Sequence, residues 1–117
     1  MAEHGDDPVS AIAEEDAVGE VAEIFADIRD TMDIPLLTSI WRTLVSVDGG
    51  LKSAWNAANP LYQSGYPQAA LASIVGSDRL PILERLVPGQ LECAGVSAKD
   101  LVQVRAIVAA YNRSNGM

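Results

Sequence analysis

Apolar residues recur at spacings of three and four early in the chain, and that rhythm predicts an amphipathic helix over residues 17–32. Val21, Ile24, Phe25, Ile28 and Met32 fall on its apolar face. Glu14, Glu15 and Asp16 stand at its start, where the positive end of a helix favours negative charge. Upstream, residues 1–13 carry Gly5, Pro8 and Ser10 without any periodic face, so they read as a flexible acidic lead-in to one helical domain over 14–117.

The next segment opens with Ile34-Pro35. A proline is tolerated as the first residue of a helix because its missing N–H would be unpaired there, which predicts a second helix from Pro35 to about Val47. Leu37, Ile40, Trp41 and Leu44 share its buried stripe in this reading. Asp48-Gly49-Gly50 is a strong stop, since glycine adopts the left-handed conformation that ends helices. A third helix then presents Leu51, Ala54, Trp55 and Ala58 on one side until Pro60 ends or kinks it.

Alanine-rich residues 68–75, bounded by Gly65 and Gly76, predict a fourth helix. Pro81 and Pro88 bracket 82–87, which leaves room for a short helical segment at most. Ser97-Ala98-Lys99-Asp100 has the spacing of a capping box and opens a long last helix. Its expected inward stripe is Leu101, Val104, Val108, Tyr111, Asn112 and Asn115. Sustained alternation of the kind that marks a half-buried strand is absent, and so are hairpin signals. The fold class is therefore all-α, a compact bundle of about five helices.

Composition narrows the function classes. With 117 residues and 49% apolar content, one small domain is expected. The first 33 residues hold 11 acids and the single base Arg29, whereas the remaining 84 hold 5 acids and 7 bases. Such an acidic leading segment repels phosphate, which argues against nucleic-acid and anionic-membrane partners. No apolar run reaches membrane-spanning length and the start lacks a signal-peptide pattern, so a cytoplasmic location is expected. A single cysteine, Cys93, cannot close an internal disulfide, and it excludes a peroxidase built on a Cys-x-x-Cys pair. Paired with the lone His4, it also gives too few ligands for a compact zinc site.

Six aromatic residues are present, and Trp41, Trp55 and Tyr62 lie within 22 positions of one another. That concentration marks either the centre of a core or the wall of a pocket. Thr38 and Arg42, four apart on one helix, form a pair able to hold a carboxylate through the planar guanidinium fork. Asn112 and Asn115 are either a pocket-facing amide pair or the capped exit of the last helix. No Ser/His/Asp or Cys/His set can be assembled, and a phosphate-binding glycine loop is missing. The remaining acids sit on polar faces or at helix ends, so no catalytic residue is assigned within this chain.

The stretch 19–29, followed by Ile34-Pro35, Ile40-Trp41-Arg42-Thr43-Leu44, Ala54-Trp55, Pro60-Leu61-Tyr62 and the closing Tyr111-Asn112-Arg113-Ser114-Asn115, resembles the DehI-type 2-haloacid dehalogenases. The resemblance covers residues 12–117 and matches the first of that family's two repeats. It implies one repeat of a two-repeat, pseudo-dimeric helical fold with its active site between the halves. It also implies an aspartate-activated water that displaces halide from C2 of a short 2-haloalkanoic acid, without a metal or organic cofactor.

Carried over by motif, Trp41, Thr38, Asn112 and Asn115 become the substrate-cavity candidates. The family's aspartate belongs to the second repeat, at the place matched here by Ile40, which cannot act as a base. Asparagine is common in the first repeat where this chain has Thr38. The resemblance further implies that the sequence closes where the family continues into its second half. The expected partner is thus a second repeat or a homodimer mate. Two functions follow: the substrate-cavity half of a haloacid dehalogenase, or a non-catalytic helical dimerisation module of the same fold.

Overall fold

A computed structural model of the chain describes residues 11–77 and 81–117. The lead-in expected over 1–13 thus falls largely outside the described residues. Among those residues every regular element is helical. Six α-helices are present: α1 Gly19–Met32, α2 Ser39–Thr43, α3 Gly50–Gln63, α4 Tyr66–Ser77, α5 Pro88–Cys93 and α6 Ala98–Ser114.

α1 follows its predicted pattern. Phe25, Ile28 and Met32 are buried, with Val21 and Ile24 packed at the edge of the same core. Glu14–Asp16 do not begin this helix; they form a separate 3-10 turn before it. The break serves a purpose, because Glu14 turns back to bond the Arg29 guanidinium at 2.6 Å and the Leu37 backbone N–H at 2.9 Å. At its far end α1 stops at Asp33, whose left-handed backbone (φ 53°) lets its N–H reach the Arg29 carbonyl.

Pro35 is not a first helical residue. It lies in a bend, and α2 begins four residues later behind Thr38 in extended geometry. The Glu14 carboxylate binds the Leu37 N–H, so this approach segment is anchored by a side chain where an added helical turn would need a carbonyl. A 3-10 turn at Leu44–Ser46 finishes the element. Gly49 then takes a left-handed φ of 64°, and a Cβ on Gly50 would stand 2.8 Å from the Val47 Cβ. Only glycine fits the second of these corners without movement.

Pro60 neither ends nor interrupts α3, which runs on to Gln63. The hydrogen bond that proline cannot donate is lost, but the Ser64 N–H still bonds the Pro60 carbonyl at 3.1 Å. Leu51 and Trp55 bury themselves against α1, and Trp55 stacks on Tyr62 on the far side of the proline. α1, the 34–44 segment, α3 and the end of α6 together enclose the core.

The rest of the chain is different. Neither α4 nor 81–87 contributes a buried residue, and 81–87 forms no helical segment, with Ile82 fully exposed. α5 begins only at Pro88, where Gln90 accepts the Val87 N–H. The capping box of α6 forms as expected: the Ser97 hydroxyl accepts from the Asp100 N–H, and the Asp100 carboxylate accepts from the Ser97 N–H.

The expected stripe of α6 faces inward only in part, at the half-buried Leu101 and Tyr111. Val104 and Val108 are exposed, and the buried residues are Ala110 and Ser114. At about 100° per residue, Ala106 and Ala110 lie on the side of the helix facing away from Val104 and Val108, and Ser114 lies at the flank between the two sides. The radius of gyration, 16.8 Å, exceeds the about 13 Å of a tightly packed chain of this size because these elements stand off from the core.

Candidate functional site

The aromatic cluster stands where the end of α6 meets α2 and α3. A hollow of about 340 Å³ opens there, lined by Ile40, Trp41, Tyr62, Ser114 and Asn115. Trp41 is 8% exposed, so it belongs to the core and also supplies the floor of the hollow. Its ring meets Trp55 edge-to-face at 5.5 Å, and Trp55 stacks on Tyr62 at 6.1 Å. Such pairs fix ring orientation as well as burying area. Trp55 is locked in turn by its indole N–H, which donates to Asp27 at 2.7 Å, and Asn59 donates to the same carboxylate oxygen.

The α6 wall is positioned by contacts across most of the chain. Arg113 donates through Nε to the Met32 carbonyl at 2.6 Å, capping the negative end of α1, and its Nη2 lies 3.9 Å from Asp33. The Thr38 and Ser114 hydroxyls meet at 3.2 Å, with Thr38 1% exposed and Ser114 9%. Nearby, the Ser39 N–H donates to the Tyr111 hydroxyl at 3.3 Å. This phenol is held below its ordinary pKa, first by the bond with Ser39 and further by the Arg42 charge, while burial pulls the other way.

The sequence-derived candidates separate into three groups. Trp41 and Asn115 line the hollow directly. Thr38 stands behind Ser114, buried at the entry to α2, and touches the hollow through that hydroxyl. Asn112 is exposed and is not among the lining residues, which corrects its expected place in an inward stripe. The Thr38–Arg42 carboxylate clamp is also absent: Arg42 donates to the Ile12 carbonyl at 3.2 Å, and Thr38 turns to Ser114. Ile40 is not in the core but 62% exposed at the mouth.

Sequence reasoning missed Ser114, and it placed Tyr62 in the aromatic concentration without choosing between core and pocket wall. Tyr62 was discoverable from its seven-residue offset from Trp55, two helical turns along α3. Ser114 had a weaker signal, a small hydroxyl residue four positions after Ala110 at a helix end.

Chemically, the lining offers aromatic and aliphatic surface, one hydroxyl, one amide and a phenol, with neither a carboxylate nor an imidazole. It can hold and orient a small molecule with an apolar part. It cannot by itself activate water by general-base chemistry at neutral pH. Among the described residues, no three His, Cys, Asp or Glu side chains approach closely enough to hold a metal ion.

The geometry is that of an all-helical chain with an aromatic-walled hollow whose lining residues include no base. Comparison with known proteins gives a more particular likeness. The chain is 28% identical over 107 residues to an (R)-2-haloacid dehalogenase of Pseudomonas putida, an alignment covering 84% of this chain and 36% of that protein. It therefore spans about a third of the length of this curated relative. No family model matches the chain, and no solved structure does.

Proposed function

We propose that this chain forms the substrate-cavity half of a 2-haloacid dehalogenase, with the catalytic aspartate supplied by a second helical repeat. The observation that carries this reading is the likeness to the (R)-2-haloacid dehalogenase along 84% of the chain. The hollow supports it: Trp41 and Asn115 lie on its wall, and Ile40 stands at its mouth. The substrate is a short 2-haloalkanoic acid. The aspartate takes a proton from water, the water oxygen bonds to C2, and the carbon–halogen pair departs with the halide. The product is a 2-hydroxy acid.

A second repeat also answers an energetic problem of this chain. Val102, Val104, Ile107 and Val108 expose apolar surface along α6, and Ile74 and Val75 do so on α4. Exposed apolar side chains of this kind fit surface that a second repeat would cover. Joined to a second helical repeat with an aspartate at the position matching Ile40, the chain is expected to release halide from 2-chloropropionate. The isolated chain releases none. A folded, joined protein that leaves the substrate intact at high enzyme concentration would sink this proposal.

The runner-up is a non-catalytic dimerisation module of the same fold, favoured by the lack of a base in the hollow and by the exposed α6 face. It predicts a concentration-dependent dimer by sedimentation and no halide release with any second repeat.

A further inference from the structure

The buried hydroxyl pair between α2 and α6 has a hydrogen to spare. Two hydroxyls in contact share one hydrogen between them, so the oxygen that accepts still carries an O–H of its own. Thr38 Oγ1 and Ser114 Oγ lie 3.2 Å apart, and neither has a second side-chain or backbone partner among the described residues. Helix-end serines often spend this hydrogen on the carbonyl four residues back, as Thr43 does with Ser39 at 2.8 Å. Ser114 makes no such bond among the described residues. Its residue is nine-tenths buried and lines the hollow, whereas Thr38 is enclosed on all sides.

From this geometry we infer that Ser114 is the ligand's hydrogen-bond donor in the hollow: Thr38 donates to Ser114, which turns the Ser114 hydroxyl hydrogen toward the carboxylate of a short, apolar-tailed acid. The inference rests on the reading of the hollow as a substrate cavity and names the group that recognises the acid end. Several features favour this direction of donation. The open side of the pair is the Ser114 side, and a buried O–H left without an acceptor is costly, so a ligand oxygen completes the pair. No carboxylate lines the hollow to repel an anion. Arg113, in the last turn of α6, offsets the negative helix end beside Ser114. Trp41, Tyr62 and Ile40 supply the apolar surface for the acid's carbon chain. Thr38 is a positioning residue in this scheme, because it acts on the ligand only through Ser114.

Quenching of tryptophan fluorescence in the 117-residue chain tests the assignment, since Trp41 borders the hollow. Three probes are titrated: 2-chloropropionate, propionate and the neutral 2-chloropropionamide. Ser114→Ala is expected to weaken 2-chloropropionate about tenfold, as loss of a hydrogen bond to a charged group does. The amide changes much less. Thr38→Val is expected to give a smaller loss in the same direction, and Thr38→Ser restores wild-type binding. If Ser114→Ala unfolds the last turn by circular dichroism, the Thr38→Val and Thr38→Ser pair decides alone. Unchanged binding of 2-chloropropionate in the folded Ser114→Ala chain overturns the inference. Equal losses for acid and amide also overturn it, as does a wild-type chain that binds neither acid. Equal binding of propionate and 2-chloropropionate, both weakened by Ser114→Ala, upholds the serine and instead counts against the haloacid reading. Preference for the chlorinated acid with no effect of Ser114→Ala does the reverse.

Discussion

Residues 11–63 and residues 64–117 carry similar helical content but bury very different amounts of themselves. The first part buries Phe25, Ile28, Met32, Ile34, Leu37, Trp41, Leu51 and Trp55, and the second buries only Ala110 and Ser114 among its described residues. Both parts have apolar residues at helical spacing. The difference teaches that periodicity marks surface that needs covering, while the presence of a cover in the same chain is a separate matter. The cleft forms on the line where the covered part meets the uncovered one.

The largest expected contrast is in core truncation. Phe25→Ala is expected to cost ~3–5 kcal/mol in urea unfolding, by lost transfer energy and the cavity left behind. Val104→Ala on the open face of α6 stays within about 0.5 kcal/mol. Comparable losses at the two sites would show that α6 is already covered in the free chain, and the contrast would disappear.

A smaller effect is expected at the clamp between the acidic turn and α2. Glu14→Ala removes the bonds to Arg29 and to the Leu37 N–H, leaving a buried donor unmet. A loss of about 1–3 kcal/mol is expected, and Glu14→Gln should recover part of it through the backbone bond. An unchanged unfolding midpoint for Glu14→Ala would mean that the approach to α2 is held by apolar contacts alone.

The capping box probes the exposed part. Ser97→Ala is expected to cost about 1 kcal/mol of helix stability, seen as faster amide exchange in the first turn of α6. Asp100 adds a pH dependence. Its carboxyl is held below the ordinary aspartate value, first by the Ser97 hydroxyl and then by the Ser97 backbone N–H. A depressed folded pKa means stabilisation that is full above the unfolded value and disappears as pH falls through the folded one. The protection factor of this turn, the intrinsic exchange rate over the observed one, should therefore fall on acidification. Equal sensitivity in the Ser97→Ala chain would rule out the box as the cause.

The smallest effect is spectroscopic. Tyr111 is expected to ionise below a free phenol in an ultraviolet titration, and Arg42→Met should move it upward by removing a nearby positive charge. A titration curve identical in the two chains would separate Tyr111 from Arg42 and leave the Ser39 bond as the cause.

Much of the local structure was legible beforehand. The apolar face of α1, the glycine corner at Gly49 and Gly50, the inward side of α3 and the Ser97 box depend on local chemistry that a single sequence displays. Pro35 was misplaced and Pro60 does not end its helix, because their effects depend on tertiary partners: Glu14 bonds the backbone after the first, and aromatic stacking spans the second. Ile40 was expected in the core because its spacing fits, yet it is exposed at the mouth of the hollow. For α6 the pattern identified the apolar side correctly as apolar. What it did not reveal is that this chain packs the opposite side, through small residues that leave little hydrophobic signal. Trp41 and Asn115 emerged from motif likeness, whereas Ser114 depends on a contact 76 positions away in sequence.

The bond from Arg113 to the Met32 carbonyl joins positions 81 residues apart, and the hollow's wall at Ser114 and Asn115 follows directly on that closure. Closing so long a loop has a conformational cost that local helices do not share, so the site is among the last features to assemble on folding. A molecule that bridged Trp41 and Ser114 would bind the closed arrangement alone and so would act as a latch on it. It would slow the separation of the segments around Met32 and Arg113, and occupancy of the hollow would then be readable from the lifetime of the closed state.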